Sequence, residues 1–244
     1  MKKLFALLLA FATALTLFAC GNEPQPESSS EPQSSLPLSQ YGFDYEIVDD
    51  SVRIIQCWDY GREIYVPDEI GGKPVKAIAT DAFYQHKDTE KIVLPDGLTS
   101  IEGAAFYRCY SLAEITIPSS VEQIEDDPFF RCTSLTAIHV EDGNAVYCDI
   151  DGVLYNKDKT ALIVYPEGNA AETYTVPDSV VRIEGGAFGY HCHAMKTLVI
   201  KSNVTELPDG NMFVFPDEIL LMVESGSAAE KYAKEQGLNY KIID

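Results

Sequence analysis

Apolar positions along this chain recur as a phrase in which an isoleucine precedes a phenylalanine by five residues. The pairs are Ile78 with Phe83, Ile101 with Phe106, Ile124 with Phe129 and Ile183 with Phe188. The first three copies are 23 residues apart and the fourth follows 59 residues after the third. Counting from each phenylalanine, a further apolar residue comes nine positions on at Ile92, Ile115 and Ile138, and ten on at Leu198. Pro95, Pro118 and Pro177 each stand six residues before the next isoleucine of the phrase. Glu114-Ile115-Thr116-Ile117 alternates polar and apolar as a half-buried strand does. The proline after it donates no hydrogen bond and ends that strand. Each unit therefore reads as a strand, a proline turn, a second short strand ending at the isoleucine, and a return loop bearing the phenylalanine. A unit this small buries its apolar side only against its neighbours, which predicts a solenoid. Units stacked about 4.8 Å apart bring the rings into a ladder of offset aromatic contacts.

Written out, LAEITIPSSVEQIEDDPFFRCTSLTAIHV and TVPDSVVRIEGGAF resemble the BspA-like leucine-rich repeats, whose phrase runs L-x-x-I-x-I-P-x-x-V-x-x-I-x-x-x-A-F-x-x-C-x-x-L. The resemblance covers residues 43 to 244. It implies a mainly β leucine-rich-repeat solenoid of short stacked strands, about five to six units of ~23 residues. It also implies a surface protein, and for some members attachment to host or microbial proteins; repeat scaffolds carry many unrelated binding roles. The chain departs from the phrase at Thr89, where a leucine is usual, at Pro128 in place of alanine, and in the irregular unit from Leu198 to Phe213.

The long gap holds NAVYCDIDGVLYNKDKTALIVYPEGNAAETY. Asp151-Gly152 between alternating apolar runs is a hairpin signal, and Asn156 to Lys159 reads as the next tight turn. Two short hairpins that widen the solenoid are expected. The D-I-D-G string echoes a calcium loop, but its third acidic position and distal glutamate are missing, so the turn reading stands. At the far end Ser227-Ala228-Ala229-Glu230 forms a capping box. It opens a helix to about Gln236 that Gly237 stops, followed by a last strand from Asn239 to Ile243. This small helix-strand cap shields the end of the stack.

At the front, Lys2 and Lys3 precede an apolar run from Leu4 to Phe18 that is too short to span a bilayer and has the form of a signal peptide. Leu17-Phe18-Ala19-Cys20-Gly21 resembles a bacterial lipobox, which implies cleavage before Cys20 and diacylation of its sulfur. Two acyl chains anchor a protein stably where one binds reversibly. Residues 21 to 40 are rich in proline, serine, glutamate and glutamine and have little to bury, so they read as a disordered tether. Their random-coil span is roughly 25 Å. The expected organisation is a signal peptide at 1–19, a lipid-anchored linker at 20–40 and a repeat domain at 41–244, on the bacterial cell surface.

Charge narrows the partners. Residues 1 to 19 hold two lysines and no acid, so the remaining 16 basic and 38 acidic residues leave a formal charge of −22. Such a surface repels nucleic acid and anionic lipid, which leaves the lipid anchor as the only membrane contact. Beyond Cys20 there are five cysteines, Cys57, Cys109, Cys132, Cys148 and Cys192, and an odd number cannot all pair within the chain. Cys109 and Cys132 each follow a ladder phenylalanine by three residues and stack within disulfide range. Buried free thiols acting as small hydrophobes are the favoured reading, with a bridge the alternative.

No glycine-flanked nucleophilic serine, zinc-protease helix motif or phosphate-binding glycine loop appears, so neither an enzyme nor a cofactor or metal site is expected. His86 and His139 read as ordinary loop or exposed strand residues. His191-Cys192-His193 in an extended segment would turn both imidazoles to one side, able to share a zinc ion. A one-residue insertion next to the repeat's cysteine slot explains the same triplet. The rival function is a surface enzyme or metal-dependent accessory protein using His191 to His193. Glu102, Glu125 and Glu184 each follow a ladder isoleucine and form an acidic stripe: a solvated edge, or a site for calcium or a basic protein. The outward columns of the aligned strands carry Lys91 and Val93, Glu114 and Thr116, Ala137 and His139, and Thr197 and Val199. The shorter strands expose Lys76, Thr99, Glu122 and Arg182. A flat wall of mixed chemistry suits an extracellular protein or glycan better than a small molecule, which needs a concave apolar pocket. The sequence thus reads as a monomeric, non-catalytic, lipid-anchored surface protein for binding or adhesion.

Overall fold

A computed structural model describes residues 42–189, 192–210, 212 and 219–244. The signal peptide, Cys20 and the tether lie outside the described residues, as do His191 and Phe213. In chain order the first strands are β1 (Phe43–Val48), β2 (Ser51–Cys57), β3 (Glu63–Tyr65), β4 (Glu69–Ile70), β5 (Lys73–Ile78) and β6 (Lys91–Val93). They are followed by β7 (Ser100–Ile101), β8 (Glu114–Ile117), β9 (Gln123–Ile124), β10 (Ala137–Val140), β11 (Tyr147–Ile150) and β12 (Val153–Asn156). The remainder are β13 (Ala161–Val164), β14 (Thr173–Thr175), β15 (Arg182–Ile183), β16 (Thr197–Ile200), β17 (Leu220–Glu224), helix α1 (Ala228–Gln236) and β18 (Tyr240–Ile243).

The repeat phrase produces two parallel walls. One runs β2-β5-β7-β9, with Ile54, Ile78, Ile101 and Ile124 in register, and β1 lies antiparallel on its outer edge. The other runs β3-β6-β8-β10, where Ile64 pairs with Ile92 and Ile115 with Ile138. Alternation turns these residues into the core, while Glu114 and Thr116 face water. Between the walls the phenylalanines stack as the period requires: Phe83 and Phe106 centroids are 5.2 Å apart, Phe106 and Phe129 5.3 Å. Each return loop turns through a left-handed residue three positions after the isoleucine, at Asp81, Ala104, Asp127 and Gly186. At the last of these a Cβ would fall 1.7 Å from Asp127 Oδ1, so glycine lets the Asp127 carboxylate lie against the turn.

The long gap holds the expected hairpins. Asp151 and Gly152 both take positive φ (52° and 77°) in the β11–β12 turn. A Cβ at Gly152 would lie 2.6 Å from Ala137 Cβ, so glycine lets this hairpin close against β10. The Asn156 carboxamide oxygen then accepts from Thr160 and Ala161, both at 2.8 Å, and turns the chain into β13. Beyond the two hairpins, the segment does more than widen the solenoid. Strand β13 pairs in parallel with β15, Leu162 opposite Ile183, and Tyr165 N donates to Ala187 O just as Phe83 N donates to Ala105 O. Tyr165 thereby takes a ladder position 5.6 Å from Phe188. The segment is itself a turn of the solenoid, disguised because Leu162 and Tyr165 are three residues apart instead of five. About eight turns result, against the five to six expected. Along β12 side chains alternate between two cores: Leu154 joins the first, Val153 and Tyr155 the second. Buried Asn144 ties the β10–β11 loop to the β8–β9 turn one unit back, donating to Pro118 O and Val121 O and accepting from Val146 N and Tyr147 N.

The final sheet runs β14-β16-β17-β18, all parallel. Ser227 Oγ accepts from Glu230 N, Glu230 Oε2 accepts from Gly226 N at 2.7 Å, and Gly237 ends the helix at φ 68°. Helix α1 buries Ala229, Tyr232 and Ala233 and serves as the connection within the last turn, so that β18 adds one more rung.

Candidate binding surface

Strands β3, β6, β8 and β10 set out the wall read from the sequence. Register places Lys91 beside Glu114, Glu114 beside Ala137, and Thr116 beside His139. His139 Nε2 lies 3.7 Å from Glu114 Oε2. At the open edge Lys91 Nζ sits 5.7 Å from the centroid of Tyr65, whose hydroxyl donates to Glu63 Oε2 at 2.6 Å; that hydrogen bond raises the phenol's pKa. Lys91, Glu114, Thr116 and His139 are exposed; Val93 and Ala137 are half-buried.

The wall is interrupted between its central strands. Pairing of β8 with β10 runs over four residues, whereas β6 meets β8 only at Lys91 and Glu114. A cleft of about 400 Å³ opens beyond that pair. Val93, Leu94 and Asp96 line one side, Thr116 and Pro118 the other, with Glu141 at the end. Its floor is apolar and its rim is mostly acidic.

Thr197 and Val199 do not continue these columns. They belong to the last sheet, Thr197 between Thr173 and Leu220 and Val199 between Thr175 and Met222, because the β11–β13 turn intervenes. The shorter strands are partly engaged within the fold: Lys76 Nζ donates to Gly97 O, Thr99 Oγ1 to Lys76 O, and Arg182 pairs with Glu184 at 2.7 Å.

The three stripe glutamates have intramolecular partners. Arg53 holds Glu102 through two contacts of 2.5 Å and also reaches Glu46, and its guanidinium keeps the Glu102 carboxyl below the ordinary glutamate range. Glu102 Oε2 also accepts from Thr80 N at 3.1 Å, and Glu125 Oε2 from Gly103 N at 3.0 Å. Glu141 does the same for Ser119 N and Glu224 for Ser202 N, each glutamate reaching back 22 residues. Glu102, Glu125, Glu141 and Glu224 therefore each tie their turn to the one before it by satisfying a loop amide.

The five described cysteines are free thiols. Sγ of Cys109 donates to Phe83 O and Sγ of Cys132 to Phe106 O, one turn back in each case. Burial pushes the Cys57 thiol up to about 12 and raises Cys132 as well, which keeps them protonated. His86 is not the ordinary loop residue expected. It fills the cysteine slot of its turn, fully buried, with the Tyr60 ring stacked on it at 4.6 Å, and desolvation lowers its pKa. Of the histidine triplet, Cys192 is buried and donates to Phe188 O, and His193 is exposed. Among the described residues no three metal-ligating side chains gather.

Two features escaped the sequence reading. Trp58, Tyr60 and Tyr65 are exposed by 50%, 57% and 59%, all in or beside the β2–β3 connection. An outer aromatic ladder, Tyr84–Tyr107–Phe130, runs beside the inner one with centroids 5.3 and 5.6 Å apart. Its signal was present as aromatic doublets at Phe83-Tyr84, Phe106-Tyr107 and Phe129-Phe130.

The family profile described as "BspA type Leucine rich repeat region" matches residues 72–151 and 165–215 in 6 copies, more than half of the chain. No curated protein matches the chain in sequence. Among solved structures it is similar to a leucine-rich repeat protein from Eubacterium ventriosum at 18% identity, over 73% of this chain and 69% of that one, with TM-score 0.40. A leucine rich repeat protein of T. pallidum is 20% identical over 83% and 97% of the two chains, with TM-score 0.40. A leucine rich cell surface protein from Faecalibacterium prausnitzii is 15% identical over 87% and 96%, with TM-score 0.34.

Proposed function

Because the chain belongs to the BspA-type leucine-rich-repeat family, we propose that it is a non-catalytic, lipid-anchored bacterial surface protein that binds an extracellular protein or glycan. The observation that carries this reading is the β3-β6-β8-β10 wall with its cleft between β6 and β8. Parallel rungs hold the side chains at fixed spacing, so a ligand meets a preorganised surface and little ordering entropy opposes binding. Lys91, Glu114, Thr116 and His139 provide both charge signs and hydroxyl chemistry across it, and the cleft provides an apolar recess. The groups that most often support catalysis have other work here: the Cys109 and Cys132 thiols are core donors and the stripe glutamates hold loop amides or arginines.

The test is affinity capture from extracellular extracts and glycan display with the full chain and with Glu114→Lys plus Thr116→Lys. Both substituted positions are exposed, so the melting temperature should move by no more than a degree or two. Loss of the captured ligand at unchanged melting temperature is the expected result. Undiminished capture by the double variant would remove the wall from the account. Anchoring is tested separately by Cys20→Ala, which should move the protein from the membrane fraction to the medium.

A further inference from the structure

The return loops carry a second surface that the wall does not use. Tyr84, Tyr107 and Phe130 stack along three successive turns, half-buried. The Arg108 guanidinium lies 4.9 Å from the Tyr107 centroid and 5.9 Å from that of Tyr84, and its Nη1 donates to the Tyr84 hydroxyl at 3.2 Å. Gln85 Nε2 donates to the same hydroxyl at 2.6 Å.

Arg108 is unusual here for what it lacks. Arg53, Arg62 and Arg182 each hold a glutamate. The ionisable neighbours of Arg108 are Tyr84, Tyr107 and Tyr110, with no carboxylate in ion-pair reach among the described residues. In a chain of this acidity a half-buried guanidinium without an acid is a cation left open, and its planar fork matches a carboxylate in two parallel hydrogen bonds. Aromatic rings beside it offer apolar surface to C–H-rich faces, and the hydroxyl and carboxamide of Tyr84 and Gln85 offer polar contacts to alcohols. The acidic body surrounding the strip disfavours polyanions, acidic peptides and poly-uronates alike.

We propose that this strip binds the end of a largely uncharged glycan that terminates in one carboxylated sugar, with Arg108 pairing the carboxylate and Tyr84 and Tyr107 flanking the sugar. This site is separate from the β3-β6-β8-β10 wall and stands or falls independently of it.

The probe is sialyllactose, titrated into the full chain by calorimetry or ligand-observed NMR, beside lactose, the sialyllactose methyl ester and a short peptide ending in glutamate. Arg108→Gln copies the residue at the equivalent left-handed position of the preceding turn, Gln85, where φ is 62° against 63°. It should therefore fold, which the melting temperature checks; Arg108→Lys serves as a second variant that keeps the charge and loses the fork. Saturable binding at millimolar or lower concentration, weakened at least tenfold by esterification and by Arg108→Gln and less by Arg108→Lys, is the expected result. The proposal is overturned by absence of binding, by equal affinity for lactose, by indifference to Arg108→Gln, or by a peptide that binds as tightly as the sugar.

Discussion

Phe106→Ala perturbs the inner ladder where it is most continuous. The ring is fully buried, with Phe83 at 5.2 Å on one side and Phe129 at 5.3 Å on the other. Truncating a buried phenylalanine costs about 3–5 kcal/mol through lost transfer energy and the cavity left behind. Two stacked contacts, each about 0.5–1.5 kcal/mol beyond area burial, place this site at the upper end of that range. Both interfaces of one turn are weakened at once, and in a solenoid each turn is held only by its neighbours. Phe129→Ala is the internal control: its ring has one stacked partner within the inner ladder, so it should cost about 0.5–1.5 kcal/mol less. Urea denaturation followed by far-UV circular dichroism measures both, provided the slopes agree with the parent. A Phe106→Ala penalty below about 1 kcal/mol, or a larger penalty at Phe129, would refute the stacked-ring reasoning.

Glu102→Gln should lower the melting temperature at neutral pH, by the equivalent of roughly 1 kcal/mol given partial solvent screening of the Arg53 pair. The folded carboxyl titrates below the ordinary value of 4.5, so its contribution is complete above that pH and fades as pH falls through the folded value; the two melting curves should converge there. A gap that persists at low pH contradicts the assignment. Asn144→Ala strands the four backbone partners of its carboxamide between the β8–β9 turn and the β10–β11 loop and should cost several times the ~1 kcal/mol of an ordinary hydrogen bond. Denaturant titration measures it, and a loss below about 1 kcal/mol is inconsistent with the four hydrogen bonds described. A thiol reagent mapped by peptide mass should modify half-buried Cys148 before Cys57, Cys109, Cys132 and Cys192, which become reactive on unfolding; early labelling of Cys109 would contradict its buried position.

The turns that could be read in the sequence are those whose core is local to the phrase. Isoleucine, phenylalanine and proline at constant offsets suffice for Ile78 to Phe129, because each offset encodes a strand, a turn and a ring in one stretch. The first turn escapes that reading. Ile54 has Asp59 five residues on, and the ring that meets Phe83 edge-on at 6.3 Å is Phe43, brought by the antiparallel strand β1. The turn at Leu162 escapes it because a shortened loop brings Tyr165 into the ladder. For the wall, alternation correctly turns Glu114 and Thr116 outward, but whether Thr197 lines up with Ala137 depends on what the intervening hairpin does, which is a tertiary matter. The cleft follows from strand separation between β6 and β8, and no residue type records that. Glu102 and Glu125 were visible as a column, yet the amides they satisfy lie 22 residues upstream and emerge only when turns stack. His86 shows the opposite failure: its position three after Phe83 marks a core slot, and its polarity hides it.

The central claim is that the β3-β6-β8-β10 wall is the recognition face, and site-specific photocrosslinking on living cells tests it most directly. A photoreactive side chain placed at Thr116, exposed beside the cleft, is compared with one at Glu172, exposed in the connection leading into β14. Crosslinking to a defined extracellular ligand from Thr116, abolished by Glu114→Lys and absent from Glu172, is the predicted result. Equal crosslinking from both positions, or a ligand captured from Glu172 alone, would contradict the account.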